Sequence, residues 1–341
     1  MRLMTATDFA CARWLPSPHL QTIWGRFGRS RRLVAFEREV LPTPDGDELI
    51  LDHLAGVRDG ARVVFLHGLE GSSNSVYIQG MLRLLRQRGI GATVLNFRSC
   101  ARDPRNLRKT IPNRGSRLYH SGETTDFDLV VRTLAARAPR ERLAAIGVSV
   151  GANVLLKWLG EHPEQTLLAG GVAISTPFDL DAGARHREKG MGRVYAASFI
   201  RSLKKKAAAI ARRSEVARQR IDLTRAQKAW TFFEYDDTAT APLHEFAGAA
   251  DYYARSSSIR FLGKIRTPAL CISAADDPFL PRAVLDRVRE EKSTAVELVV
   301  TESGGHVGFV TGAPPRFTYW AEERAVGWAE EKCRMQNDQS R

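Results

Sequence analysis

Hydrophobic and polar residues alternate between strand-like and helix-like patterns along most of the chain. Short apolar runs rich in β-branched residues predict strands at residues 34–41, 48–54, 62–66, 92–97, 171–175, 269–273 and 296–301, and another strand ends at Val148. Helical periodicity predicts helices over residues 77–88 and 125–137 and a C-terminal helix beyond Pro315, and a long polar loop covers 98–122. Because strands and helices alternate, we expect an α/β fold with a mostly parallel central sheet flanked by helices.

One segment, residues 178–263, is too long for a simple connection between strands and is largely helical in pattern. We interpret it as an inserted helical cap on a core made of residues 33–177 and 264–333. An N-terminal segment, 1–32, packs on this core, and residues 334–341 form a tail. The cap is rich in aromatic side chains, which more often pack a cap onto its core than contact a substrate. They are Trp230, Phe232, Phe233, Tyr235, Phe246, Tyr252 and Tyr253.

Composition indicates a soluble globular protein, because 43% of the 341 residues are hydrophobic and 26% are charged. The apolar stretches fall short of the roughly 18 uncharged residues that a membrane span needs. Asp8 stands where a signal peptide would be apolar. We therefore expect a cytoplasmic protein without stable membrane insertion.

The net charge of +13 raises the possibility of a polyanionic partner. The densest basic cluster, residues 204–220, lies in an alanine-rich helical segment without interleaved aromatic residues. This pattern is typical of a solvated helix face. We expect no nucleic-acid partner and at most a weak association with an anionic membrane surface.

Cysteines and histidines do not form a recognisable ligand set. The four cysteines are too scattered for a zinc site or a redox motif, so we expect free thiols. None of the eight histidines belongs to a His-Glu-x-x-His cluster. The sequence therefore predicts neither a metal nor an organic cofactor.

Ser149 lies between two glycines, Gly147 and Gly151, where an apolar strand meets a helix-like segment. Gly-x-Ser-x-Gly at such a junction is typical of a nucleophile elbow, a strained turn that needs tiny residues two positions before and after the serine. The sequence therefore predicts Ser149 as a catalytic nucleophile.

A nucleophilic serine needs a histidine base and a carboxylate that orients the histidine. In hydrolases with a nucleophile elbow, the acid follows a later strand and the histidine follows the last strand. Asp277 follows the strand that ends near Ser273, and His306 follows the strand that ends near Thr301. We assign them as acid and base, with the adjacent Asp276 as the alternative acid.

His67 is the competing base, but it directly follows an early strand and begins the run His67-Gly68-Leu69. This position suits a loop that supplies an oxyanion-hole amide, so a structural role for His67 is favoured. We expect the backbone N–H groups of Leu69 and Val150 to bind the oxyanion.

Several motifs spread over nearly the whole chain carry a family resemblance. They are the segment 14–22, His67-Gly68-Leu69-Glu70-Gly71, Asn96-Phe97-Arg98, the segment 117–124, the elbow around Ser149, Ala241-Pro242-Leu243, Asp276-Asp277-Pro278-Phe279 and Gly304-Gly305-His306. Together they resemble the YheT-like α/β-hydrolases, a family that includes acylglycerol lipases. The resemblance implies a triad of Ser149, Asp277 and His306 and the hydrolysis of carboxylic esters.

Two departures from the family pattern lie near the expected pocket. Residues 99–102 stand where members usually have a glycine-containing loop, and additional residues occur around 109–116. The loop shape near the pocket is therefore expected to differ. The histidine and serine of Tyr119-His120-Ser121-Gly122 are interpreted as part of a structural loop.

The leading hypothesis is a serine esterase that cleaves acyl esters with an apolar, short- to medium-length chain through an acyl-enzyme. The partner is then a small-molecule or lipid-like ester. An alcohol O-acyltransferase is an alternative, because the same acyl-enzyme can react with an alcohol. A non-catalytic binding protein of the same fold is a third hypothesis, and thioesterase and amidase activities remain open.

Overall fold

The computed structural model describes residues 9–27, 29–57 and 60–338. Eight strands of this part form one sheet: β1 (Glu37–Pro42), β2 (Glu48–Leu54), β3 (Ala61–Leu66), β4 (Gly91–Asn96), β7 (Arg142–Val148), β8 (Leu168–Ile174), β9 (Ala269–Ala274) and β10 (Val296–Thr301). Their order is β1-β2-β4-β3-β7-β8-β9-β10. The pairs β1–β2 and β2–β4 are antiparallel and the others are parallel. The predicted mostly parallel sheet is confirmed.

Helices cover both faces of the sheet. Outside the region inserted after β8, they are α1 (Pro18–Trp24), α2 (Val76–Arg88), α3 (Thr125–Arg137), α4 (Val150–Glu161), α12 (Arg282–Glu291) and α13 (Trp320–Asp338). In β3, Val64 and Leu66 pack in the cluster with α3, α4 and α12, whereas Val63 and Phe65 pack in the cluster with α2 and α13. Successive strand residues point to opposite faces, so one apolar strand serves two helical layers.

The region between β8 and β9 is largely helical, with short loops between its helices. It contains α5 (Leu180–His186), α6 (Gly192–Arg213), α7 (Glu215–Arg220), α8 (Leu223–Lys228), α9 (Phe232–Tyr235), a π-helical turn (Asp236–Thr240), α10 (Ala241–Leu243), α11 (Ala249–Ser256) and a 3₁₀ helix (Ser258–Lys264). These inserted helices bury apolar clusters of their own. Among the aromatic residues named above, Phe232, Tyr235, Tyr252 and Tyr253 are buried, whereas Trp230 is 80% exposed.

Two short hairpins lie outside the central sheet. In the predicted polar loop, β5 (Arg102–Asp103) pairs with β6 (Asn106–Thr110), and near the C-terminus β11 (Val310–Ala313) pairs with β12 (Arg316–Tyr319). Because the second hairpin follows Pro315, the C-terminal helix begins only at Trp320. It extends to Asp338, past residue 333, where the core was predicted to end. No helix in the described ranges is both long and apolar enough to cross a membrane.

The loop after β4 is anchored by Arg98, which is 3% exposed. Its guanidinium donates hydrogen bonds to the carboxylates of Asp45 (2.9 Å), Asp47 (2.7 Å) and Asp126 (2.7 and 2.8 Å). This Arg98 cluster connects the turn between β1 and β2 to the start of α3. Arg98, Asp47 and Asp126 are buried and Asp45 lies at the surface. Because the donors and acceptors satisfy one another, these charges form a closed polar group.

Candidate active site

Ser149 occupies a strained turn between β7 and α4, with φ 54° and ψ −119°. A Cβ atom at Gly147 would lie 2.5 Å from the carbonyl oxygen of Gly151, and one at Gly151 would lie 2.3 Å from that of Leu66. Only glycine fits such close backbone approaches. The local sequence therefore explains both the tight turn and the exposure of the serine hydroxyl toward the carboxyl edge of the sheet.

Ser149, His306 and Asp277 form a continuous hydrogen-bonded chain. His306 Nε2 lies 3.0 Å from Ser149 Oγ, and His306 Nδ1 lies 2.8 Å from Asp277 Oδ2. An ionised carboxylate can only accept, so Nδ1 donates to it and Nε2 is free to accept from the serine hydroxyl. Asp277 is 5% exposed, and its other oxygen accepts from the backbone N–H of Phe279 at 2.8 Å.

Asp276 occupies a different position from Asp277. Its carboxylate accepts from the backbone N–H of Gly305 at 2.9 Å and thus holds the loop that carries His306. Burial raises the pKa of Asp276, and the charge of Asp277 adds to this effect. The geometry thus assigns the two adjacent carboxylates to the loop backbone and to the imidazole, respectively.

The N-terminal segment fixes the His306 loop, a role that the sequence analysis missed. Thr22 Oγ1 accepts from the backbone N–H of His306 at 2.9 Å, and Gln21 Oε1 accepts from that of Val310 at 2.8 Å. Gln21 is 1% exposed although it is polar. A glutamine and a threonine in an otherwise apolar turn, Leu20 to Trp24, were the available signal.

The loop after β3 lies directly beside the serine. A Cβ atom at Gly68 would be 3.2 Å from Ser149 Cβ, and Gly68 N–H donates to the Tyr77 hydroxyl at 2.8 Å. Leu69 and Val150 both line the cavity at this point. Neither backbone N–H donates a hydrogen bond to a described residue. Both amides therefore remain available to an oxygen atom bound near Ser149.

His67 is fully buried and its two ring nitrogens are engaged. Nδ1 donates to the carbonyl of Gly68 at 2.8 Å, and Nε2 accepts from the backbone N–H of Phe97 at 3.1 Å. Burial lowers the pKa of His67 to about 3, so the ring stays neutral. Its contacts tie the loop after β3 to the end of β4 and leave no nitrogen for proton transfer.

Glu70 connects the same loop to inserted helix α6. Its carboxylate accepts from Lys206 Nζ at 2.7 Å, from the Tyr119 hydroxyl at 2.9 Å and from the Ser202 hydroxyl. Burial raises the pKa of Glu70, but Lys206 and these hydrogen bonds outweigh it and hold the pKa below its usual value. The loop that carries Leu69 is therefore tied to the inserted helices by a largely buried ion pair.

Ser149 and His306 line a cavity of about 410 Å³ between the sheet edge and the inserted helices. The apolar side chains Leu180, Phe199, Leu203, Phe232 and Phe279 line it. Phe279 also stacks on the His306 ring, with 4.2 Å between ring centroids. A cavity of this size suits a small ligand that is mostly enclosed.

The other histidines and the cysteines near this edge lie in packed surroundings. The rings of His120 and His244 lie 4.5 Å apart between centroids and are tilted by 52°, and burial lowers the pKa of His120 to about 4. The four cysteines are free thiols, three of them buried. Among residues 9–27, 29–57 and 60–338, no group of three or more His, Cys, Asp or Glu side chains is arranged to hold a metal.

Similarity to known proteins agrees with this geometry. The profile of the family described as alpha/beta hydrolase fold matches residues 61–313. The chain is 34% identical to YheT of Escherichia coli (strain K12), a candidate esterase by its name, over 95% of this chain and 93% of that protein. It is 25% identical to the Mus musculus protein named monoacylglycerol lipase ABHD2, over 96% of this chain and 80% of that protein.

A solved structure shows the same fold. The Pyrococcus furiosus esterase Pf2001 aligns over 87% of this chain and 92% of its own, with a TM-score of 0.55 at 18% identity. The resemblance drawn from the sequence motifs is confirmed by the long alignment with YheT. The chain belongs to the α/β-hydrolase fold family, and within it to the YheT-like proteins, and it is a carboxylic ester hydrolase.

Proposed function

We propose that the protein is a serine esterase in which Ser149 is the nucleophile, His306 the general base and Asp277 the residue that orients His306. One observation carries the proposal: the three side chains form an unbroken relay, with links of 3.0 and 2.8 Å, at the floor of the cavity. Serine hydroxyls are weak nucleophiles at neutral pH, and such a relay supplies the missing activation.

The reaction proceeds through an acyl-enzyme. Ser149 Oγ attacks the ester carbonyl while its proton passes to His306 Nε2, and Asp277 stabilises the resulting imidazolium. His306 then protonates the departing alkoxide, which leaves as the alcohol. Water attacks the acyl-enzyme with His306 again as base, which releases the acid and restores Ser149.

The tetrahedral intermediates need donors for the oxyanion, and the N–H groups of Leu69 and Val150 fill this role in the proposal. Val150 is the first residue of α4, so the positive end of the helix dipole adds to its donor strength. Preorganised donors of this kind are often the largest single contribution to acyl-transfer catalysis. The Glu70–Lys206 pair holds the Leu69 side of the hole against α6.

For the substrate, we propose an acyl ester with an apolar chain of short to medium length. The aromatic and aliphatic side chains of the cavity supply an apolar wall, and the volume of about 410 Å³ limits the length of the chain. Residues 178–263 act as the cap in this proposal, because they contribute Leu180, Phe199 and Phe232 to that wall.

The test is hydrolysis of a series of 4-nitrophenyl esters of increasing acyl length by the wild type, Ser149→Ala and the matched control Ser198→Ala. Ser198 also lines the cavity but has no role in the relay. Turnover with an optimum chain length, lost only in Ser149→Ala, is expected. Equal turnover by the wild type and Ser149→Ala would overturn the assignment. Product analysis with added alcohol separates hydrolysis from transfer.

A further inference from the structure

Several arginines line the cavity without a carboxylate partner. Arg187, Arg26, Arg31 and Arg102 all line it, and none of the four has a carboxylate oxygen of a described residue within 4.0 Å of its guanidinium. Their positive charges are therefore not neutralised by direct ion pairs. The cavity carries an excess of cationic side chains beside the proposed nucleophile.

Arg187 is the most enclosed of these residues. It follows α5, and its Cζ lies 4.5 Å from the ring centroid of Phe232 and 5.7 Å from that of Phe279. Its Nε is buried and has no hydrogen-bond partner. The aromatic faces attract the cation but accept none of its five N–H donors in the way that a carboxylate or phosphate does. A polar group thus remains unsatisfied at the wall of the cavity.

The position of Arg187 relates it directly to the proposed chemistry. Phe279 separates it from His306, since this ring stacks on the imidazole at 4.2 Å and lies 5.7 Å from the guanidinium. Arg187 therefore stands one aromatic layer away from the general base. Ser149 and Arg187 line the same cavity, so a ligand whose ester carbonyl reaches Ser149 can also contact this guanidinium.

The acids of the cavity do not neutralise Arg187. Glu70 is engaged by Lys206, Tyr119 and Ser202. Asp236 accepts from the Tyr253 hydroxyl at 2.8 Å and from the Thr240 hydroxyl at 2.6 Å. Burial raises the pKa of Asp236 to about 6, which further weakens it as a counter-charge. Burial also lowers the pKa of Arg187, and the nearby charges of Asp236 and Asp277 raise it by less than burial lowers it.

The exposed side of the cavity has the same electrostatic character. Arg102 donates to the backbone carbonyl of Glu70 at 2.9 Å rather than to a carboxylate. Burial lowers the pKa of Arg31, and the nearby charges of Arg26 and Arg102 lower it further. Like charges that are gathered at an entrance raise the local concentration of an anionic ligand.

We propose that Arg187 binds an anionic group of the substrate, a carboxylate or a phosphate, that lies within a few atoms of the ester bond. The inference rests on the proposed function, since it places the ester at Ser149. Arg26, Arg31 and Arg102 attract the anion to the cavity, and Arg187 binds it through charge-assisted hydrogen bonds. The apolar wall then contacts the short chain between the anion and the ester.

The test compares anionic and neutral esters of matched size. The acyl arm uses mono-4-nitrophenyl glutarate against 4-nitrophenyl pentanoate, with the uncatalysed rate subtracted. The alcohol arm uses 1-hexanoylglycerol 3-phosphate against 1-hexanoylglycerol. We expect kcat/KM to favour the anionic ester by about 10- to 100-fold in one arm, the range that a charged hydrogen bond supplies. The favoured arm identifies the side of the ester that carries the anion.

Variants separate recognition from packing. Arg187→Met is expected to abolish the preference, so that kcat/KM falls about 10- to 100-fold more for the anionic ester than for the neutral one, and Arg187→Lys is expected to retain part of it. Arg193→Met is the matched control, since Arg193 is an exposed arginine at the start of α6. No preference in either arm of the wild type, or an equal loss for both members of a pair in Arg187→Met, would overturn the proposal.

Inhibition of the wild type and the Ser149 dependence of hydrolysis also test the anion site. If Arg187→Met does not fold, inhibition of the wild type replaces the variant. Glutaramate, which carries one carboxylate, should inhibit at least tenfold more strongly than the neutral pentanamide, or glycerol 3-phosphate more strongly than glycerol. Equal inhibition in both pairs would refute the anion site. Hydrolysis of the neutral esters that depends on Ser149 but shows no anion preference rejects only the anion site. Absence of any Ser149-dependent hydrolysis rejects the proposed function itself.

Discussion

Arg98 and Arg187 are two enclosed arginines with opposite surroundings. Arg98 donates to three aspartates, and although burial alone lowers its pKa, Asp126 and Asp45 raise it overall. Arg187 has aromatic rings beside it and no carboxylate within ion-pair distance in the described structure, and its pKa is lowered. Burial of a charge is costly in both places, but only one place supplies the compensation within the protein.

The polar groups around Arg98 are all paired within the protein, whereas those of the cavity are not. In the closed Arg98 cluster, donors and acceptors use up one another, so its contribution is to the stability of the fold. In the cavity, the Ser149 hydroxyl, the Leu69 and Val150 amides and the Arg187 guanidinium are left for a ligand. Substitutions in the first region should therefore change stability, and substitutions in the second should change activity.

The largest effect is expected for Ser149→Gly, which should lower activity and raise stability. Loss of the hydroxyl is expected to lower kcat by at least about a thousandfold. Glycine adopts φ 54° without strain, so the free energy of unfolding should rise by about 1 kcal/mol. Turnover and urea denaturation measure the two effects. Ser149→Ala is the control, with equal loss of activity and no gain in stability, and a destabilised Ser149→Gly would contradict the strain argument.

Arg98→Met tests the closed region. Removal of the guanidinium leaves buried carboxylates unpaired, so the free energy of unfolding should fall by about 3–5 kcal/mol. Arg187→Met breaks no ion pair and should cost only about 1 kcal/mol, the value of the ring contacts. Chemical denaturation of both variants checks the contrast. Equal losses of stability would show that the ion pairs of Arg98 do not distinguish it from Arg187.

Acidification should also lower the free energy of unfolding through the buried histidines. Burial lowers the pKa of His67 to about 3 and of His120 to about 4, and it lowers that of His244 as well. Unfolding then takes up protons between about pH 6.5 and 4, so stability falls as the pH falls, by about 1.4 kcal/mol per pH unit for each histidine. Asp236, with its pKa raised to about 6, releases a proton and offsets part of this.

His244→Leu sharpens that prediction. His244 Nε2 is buried without a hydrogen-bond partner, so leucine at this position should leave the fold intact. The slope of unfolding free energy against pH, measured by urea denaturation between pH 6.5 and 4.5, should decrease by about 1.4 kcal/mol per unit. An unchanged slope would mean that this histidine does not contribute to the acid sensitivity.

The smallest effect is expected at Thr22, where the N-terminal segment meets the catalytic loop. Thr22→Val removes the acceptor of the His306 backbone N–H and should lower kcat/KM by about tenfold, because the imidazole is held less accurately. Thr22→Ser keeps the hydroxyl and should remain within about twofold of the wild type. Steady-state kinetics on one neutral ester suffices, and equal activity of all three proteins would remove Thr22 from the positioning of His306.

Much of the fold could be predicted because its elements are strongly patterned. The helix over Thr125–Arg137 and the strand over Val296–Thr301 agree with the predicted bounds to the residue. The first strand begins at Glu37, three residues later than predicted, because Val34 N–H donates to the Gln79 side chain instead of to a neighbouring strand. The hairpins β5–β6 and β11–β12 were missed, since short polar strands carry little periodicity.

The sequence by itself determined the α/β architecture and the order of the candidate serine, acid and histidine along the chain. Local periodicity and tight glycine turns carry that information, because each depends on residues within a few positions of one another. Only the tertiary structure decided which neighbouring aspartate meets His306, that Thr22 fixes the histidine loop, and that Arg98 is neutralised whereas Arg187 is not. Those outcomes depend on side chains that are distant in sequence, and partners of that kind become visible only when the chain is folded.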